Sequence, residues 1–125
     1  MTVSGTDTPD DVVMQPLSVE RAEIAAAMID LEAALRQLGL WQEHAPPTEA
    51  MASTQPFALD TLDFQQWLQF MFLPGLRNVI TQDLAMPAVC SVLPMAEETF
   101  KNSPLPVAEL LAALATLDTL VTAAD

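Results

Sequence analysis

Apolar residues in this sequence recur at spacings of three and four, and where that rhythm fails there is a proline. Ile24, Met28, Leu31, Leu35 and Leu38 share one stripe of a helix, because residues three and four apart face the same way. Ser18 stands where an N-cap belongs, and Glu20 and Glu23 follow at the positive end of the helix dipole. Glu32 and Arg36 form an i,i+4 pair on the flank, and Gly39 supplies the stop, with Leu40 and Trp41 placed to fold back over the last turn. Pro46, Pro47 and Pro56 make residues 45–59 a non-helical connection, since each proline biases its predecessor to extended geometry. A helix is expected to restart near Asp60 or Thr61, with Phe64, Trp67, Leu68, Met71 and Phe72 on its apolar side. Pro74 with Gly75 should kink or end it, and Leu76, Val79 and Ile80 continue the pattern briefly. Between Leu84 and Pro106 four prolines leave room for one short helix, Val92 to Phe100. The last helix has Pro106 at N1 and Val107, Leu110, Leu114, Leu117 and Val121 on one face.

No β alternation of useful length and no repeat accompanies these segments, so the expected fold is all-α, a small helical bundle of about four helices with proline-rich connections. Residues 18–125 form the expected single domain. Residues 1–17 carry Asp7, Asp10 and Asp11 and no basic residue, and are expected to be a mobile acidic tail.

Charge narrows the function. Seventeen carboxylates oppose Arg21, Arg36, Arg77 and Lys101, a net charge of -13 that repels phosphate backbones and anionic lipid headgroups. Direct contact with nucleic acid or membrane is therefore not expected. At 51% hydrophobic the chain is not wholly disordered. Its longest apolar run, Met86 to Ala96, is broken by Ser91 and two prolines and falls short of the roughly 20 residues of a membrane span. A lone cysteine and the lack of a basic-then-apolar leader point to the cytoplasm.

Motifs for chemistry are missing. A di-iron bundle needs Glu-x-x-His pairs, whereas Trp41 precedes His44, the only histidine, by three. The pairs Asp60/Asp63 and Glu20/Glu23 sit at expected helix starts, where the dipole explains them. Cys90 lies in an apolar setting that raises a thiol pKa, so it reads as buried filler. His44 reads as a solvated loop residue, and Gly5, Gly39 and Gly75 are too scattered for a phosphate loop. No catalytic residue, metal site or cofactor is expected.

Two features remain as interaction candidates. Ser53-Thr54-Gln55-Pro56-Phe57, followed by Asp60-Thr61, sets hydroxyl and amide groups between two apolar helices. They either tie down the connection by bonding its backbone, the reading favoured here, or line a groove. Phe64, Trp67, Phe70 and Phe72 are expected mainly as core, with at least one exposed, because Phe70 and Phe72 point about 200° apart on an α-helix. Ile29, Ala26 and Ala33 lie opposite the main stripe of the first helix, and Glu109, Asp118 and Asp125 are the only charges on the last. This surplus of apolar surface is either enclosed or contacts a second chain, a homodimer or a partner protein.

The polar connection, the Trp67-Leu68-Gln69 sequence with Pro74 five residues further, Met86-Pro87 and Pro94 together resemble the YqcC-like family of small bacterial proteins, from about Ala22 to about Leu120. The resemblance implies a small helical bundle and no established activity. Members are sometimes labelled tRNA pseudouridine synthase C, which reads as an association, since such a synthase is a larger mixed α/β enzyme. Met95-Ala96 stand where the family has aromatic residues, so an aromatic groove is not carried over to that place. The leading expectation is a non-enzymatic interaction or accessory module, linked to tRNA modification through a basic partner. The binding residues it singles out are Thr54, Gln55, Pro56, Phe57, Asp60, Trp67 and Gln69. The alternative is a small-molecule site between the Pro74 helix and residues 53–57, with Thr54, Gln55 and Gln69 converging on it.

Overall fold

The computed structural model describes residues 18–123, and the acidic segment 1–17 lies outside them. Every described secondary-structure element is helical, as the periodicity required. The first, α1 (Val19–Gln37), begins at Ser18, whose Oγ accepts from the Arg21 N–H at 3.1 Å. It buries Ile24, Met28, Leu31 and Leu35 as expected, with Ala27 and Ala34 beside them. At its end Gly39 adopts φ 75°, the Gly39 N–H donates to Arg36 O and the Leu40 N–H to Leu35 O, closing a Schellman motif. The Arg36 guanidinium, paired with Glu32 at 2.9 Å, lies 4.5 Å over the Trp41 ring, which fixes the fold-back.

Connection 45–59 is less extended than its prolines suggest: it holds a single turn, α2 (Thr48–Met51), and a 3-10 turn at Pro56–Ala58. The central helix starts three residues later than expected. Asp63, not Asp60, is its N-cap, in a capping box with Gln66. Residues 59–62 instead form tight turns onto the Ala58 carbonyl.

Pro74 neither ends nor breaks the central helix. The helix runs as α3 (Phe64–Trp67), a π-helical stretch at Leu68–Phe72, and α4 (Leu73–Thr81) without interruption. Core spacing gives the reason. Phe64, Leu68, Leu73 and Leu76 are buried, and the five-residue step from Leu68 to Leu73 is one residue too long for an α-helix. A π turn absorbs the extra residue and keeps both leucines inward, while the Leu73 N–H reaches back to Leu68 O. Pro74 follows directly after the widened turn, as the second residue of α4. Met71 and Phe72, expected on the buried side, are consequently half-buried, and so is Phe70: none of the four aromatics is fully exposed.

Helix α4 ends in a second Schellman motif in which Asp83, at φ 53°, stands where Gly39 stands in α1. The Arg21 guanidinium reinforces that end by donating to the Val79 and Leu84 carbonyls. Helix α5 (Leu93–Phe100) matches its expected span to within one residue. Helix α6 (Ala108–Ala123) starts after Pro106, because Val107 provides the first accepting carbonyl, to the Leu111 N–H, and Pro106 is thus outside the helix rather than at N1. Leu110, Ala113, Leu114, Leu117 and Val121 are buried, and α6 packs most extensively on α1. The C-terminal end of α1 lies beside the N-terminal end of α6, so the two are antiparallel. Met95 packs at the edge of the core and Ala96 is fully inside it.

Candidate functional site

The residues singled out in the sequence separate into three groups. Phe57 and Trp67 belong to an aromatic cluster. Phe57 meets Trp67 edge-on at 4.9 Å, Trp67 stacks with Phe72 at 5.2 Å, and Phe64 joins Phe57, Trp67 and Phe100 at 6.1 to 6.3 Å. Phe64 is buried while Phe57, Trp67 and Phe72 are half-buried, so the cluster is core with an outer margin.

Gln69 is a structural clamp. Its side chain is buried, accepts from the Gln42 N–H at 2.9 Å and donates to the Gln42 carbonyl at 2.6 Å. The amide thus satisfies both backbone groups of Gln42 and fastens the segment after α1 to the π stretch. A buried amide with both groups paired has little left to offer a ligand.

Thr54, Gln55, Pro56 and Asp60 are exposed. The polar connection is tied largely by its own residues. Ser53 Oγ donates to Asp60 Oδ1 at 2.5 Å and accepts from the Gln55 N–H at 3.0 Å, while Thr61 Oγ1 donates to Ala50 O at 2.5 Å. Between these ties the chain turns sharply. Gln55 O accepts from the Ala58 N–H, and Phe57 and Ala58 both take positive φ, 57° and 50°. Left-handed geometry costs an L-residue about 1 kcal/mol or more, and here two occur in succession without glycine. The Phe57 ring in the aromatic cluster and the near-complete burial of Ala58 hold them there. The turn presents Gln55, Pro56 and the half-exposed Leu59 to solvent beside the Asp60 carboxylate.

Three surface clefts among the described residues lie elsewhere. One of about 400 Å³ runs between α1 and α6, one of about 320 Å³ continues it past Leu38 and Pro106, and one of about 190 Å³ separates α1 from α4. None of the three is lined by residues 53–57 or by Gln69.

Sequence reasoning missed a polar anchor on α6. Asp118 accepts from the Val92 N–H at 2.8 Å and the Leu93 N–H at 2.8 Å, capping α5 from a different helix, and takes the Cys90 thiol at 3.2 Å. One turn on, Thr122 Oγ1 accepts from the Cys90 N–H at 2.9 Å and donates to the Cys90 carbonyl. Burial, then the hydrogen bond and charge of Asp118, push the Cys90 thiol up to about 12. It is a protonated donor at neutral pH, not a nucleophile. The available signal was an isolated carboxylate between Leu114 and Val121 on an apolar helix. Among the described residues no three His, Cys, Asp or Glu side chains come together as metal ligands, and no helix is long and apolar enough to cross a membrane.

A family model for DUF446, described as tRNA pseudouridine synthase C, matches residues 23–120. YqcC from Escherichia coli K12, an uncharacterized protein, is 32% identical over 90 residues, 72% of this chain and 83% of that one. An uncharacterized protein from Haemophilus influenzae is 35% identical over 72 residues, 58% of this chain and 68% of that one. A protein from Pectobacterium carotovorum named tRNA pseudouridine synthase C is 40% identical over 65 residues, 52% of this chain but only 17% of that relative's length. The solution NMR structure of Escherichia coli YqcC superposes with a TM-score of 0.75 at 28% identity, over 86% of this chain and 92% of that one. With a family match over most of the helical region and the same helical fold in YqcC, the chain belongs to the DUF446 family of YqcC-like proteins.

Proposed function

We propose that this chain is a non-enzymatic interaction module that acts beside a tRNA pseudouridine synthase. The observation that carries this reading is the Pectobacterium relative: it bears the synthase name, and five-sixths of its length lies outside the stretch similar to this chain. A module that is part of a longer chain in one relative and makes up most of another, YqcC, is a natural partner of the remainder, because a covalent tether supplies the encounter that two separate chains must achieve by affinity. The chemistry of the chain supports a docking role. Its one thiol is protonated and engaged, its buried amide is consumed by Gln42, and its charge of -13 suits a partner whose RNA-binding surface is basic.

The test is calorimetric titration of the purified chain against tRNA pseudouridine synthase C from the same organism, at low and moderate salt. Binding that weakens as salt rises is the expected result. No binding at either salt, together with unchanged synthase activity on tRNA when the chain is added, would overturn the reading.

A further inference from the structure

Helix α1 carries a second apolar stripe that no other described residue covers. Val19, Ala22, Ala26, Ile29 and Ala33 follow one another at spacings of three, four, three and four, and all five are exposed. Val19 is 72% and Ile29 69% accessible, the largest hydrophobic side chains on this face. That spacing is the a/d seam of a helix pair, and it lies opposite the buried stripe of Ile24, Leu31 and Leu35. A seam of this kind on a helix already anchored by its other face is a platform for one more helix.

The charges beside the seam differ on its two sides. Towards α4, Glu32 is neutralised by Arg36, and Arg77 lines the cleft with it and with the inner edge of Ile29. Towards α6, the seam is bordered by Glu23 and Asp30, and the α1/α6 cleft adds Glu109 on its α6 wall, near Gln37, with no cation in its lining. The floor there is small, formed by Ala33, Ala112 and Thr116, which lets another backbone approach closely. A second copy of this chain fits poorly. An antiparallel pairing of two such seams would set Glu23 and Asp30 against the same carboxylates of the other copy, and a parallel one would leave them facing Ser18 and Ala25 with no cation to answer them.

We infer that the Val19–Ala33 face of α1 docks an amphipathic helix of a basic partner, which lies over the α1/α6 cleft with apolar residues on the seam and Lys or Arg against Glu23, Asp30 and Glu109. This rests on the interaction-module reading and names the surface that serves it, a surface separate from the Gln55-Pro56 turn.

The probe is a synthetic peptide of about four heptads with Leu at a and d and Lys at e and g, and a control peptide with Glu at e and g. The full chain is titrated with each and amide shifts are followed by NMR. The Lys peptide is expected to shift residues 19–37 together with Ala112 and Thr116, and to bind about tenfold or more tightly than the Glu peptide. Ile29→Asp should weaken it about tenfold or more with no change in helical circular dichroism, since Ile29 is outside the core, and Asp30→Lys with Glu109→Lys should reverse the peptide preference. Shifts centred on residues 53–60, indifference to Ile29→Asp, or a stable dimer of the chain that covers Ile29 would each overturn the inference. The same variants are then tested against the synthase. Synthase binding indifferent to Ile29→Asp overturns this inference and leaves the module reading intact. Peptide docking at α1 without synthase binding does the reverse.

Discussion

The polar connection at residues 50–61 is anchored chiefly by its own residues, whereas the passage from α4 to α5 is anchored from elsewhere. In the first, Ser53 holds Asp60 seven residues away and Thr61 holds Ala50 eleven away. In the second, Asp118 and Thr122 reach back 25 to 32 residues to Cys90, Val92 and Leu93, and Arg21 reaches 63 residues to Leu84. The difference is in what must already be in place. Ties within the first connection close short loops and form as soon as the local chain turns. Those of the second exist only once α1 and α6 have packed, so they report on the assembled core. Both contain left-handed backbone, two successive residues at Phe57 and Ala58 in the first and Asp83 alone in the second, but the second also relieves a need, the uncapped N-terminus of α5.

Cys90 gives the largest contrast. With its thiol held near 12 rather than the ordinary 9.0, its alkylation by iodoacetamide at pH 8 should be slower than in the urea-unfolded chain by roughly three orders of magnitude. The unfolded chain loses this proton at lower pH than the folded one. The stability it contributes is therefore complete below pH 9 and declines as pH rises from 9 towards about 12, and Cys90→Ser should remove that alkaline decline in denaturation midpoints. Next comes Asp118→Ala, which strands the Val92 and Leu93 N–H groups and should cost about 3 kcal/mol in urea denaturation. Asp118→Asn, which keeps an acceptor, should cost about half as much, and equal losses for the two would mean that charge rather than capping is the source. In the first connection Ser53→Ala should cost only about 1 kcal/mol, since both of its hydrogen bonds are near solvent. Ala58→Gly should be close to neutral. Relief of left-handed strain, about 1 kcal/mol, offsets the loss of a buried methyl, about 0.8 kcal/mol, whereas the same change in a helix interior loses on both counts.

The same contrast explains what the sequence made legible. Ser18, Gly39, the Glu32–Arg36 pair and the buried stripes of α1 and α6 follow from residues at most five apart, and each is where spacing placed it. The favoured reading of Ser53 and Thr61 as ties for a connection also agrees with the structure, because their partners are close in sequence. Asp83 in a position usually taken by glycine, Asp118 as a cap for another helix, and Gln69 as a clamp on Gln42 depend on tertiary placement, which no local pattern announces. The late start at Phe64 belongs with them. Asp60 and Asp63 are equally good caps by type, and Ser53 decides between them by engaging Asp60. The candidate site was half legible: the motif is a distinct turn with an exposed face, but that the surplus apolar face of α1 stays uncovered by the other described residues became visible only when the packing of α6 was known.

The π stretch at Leu68–Phe72 makes the central helix one residue longer than its core contacts require. In the language of inheritance, a single-residue insertion that made the helix bulge instead of rotating would leave this geometry. Elsewhere in the helix a deletion would turn every later side chain by about 100° and empty the core of Leu73 and Leu76. Here a deletion would instead restore the four-residue step from Leu68 to the next leucine. Pro74 would then lie where its ring meets an α-helical carbonyl, so the shortening is tolerable only if the proline is lost with it. The extra residue and the proline are thus expected to come and go together among relatives of this chain, a length difference confined to one turn of one helix.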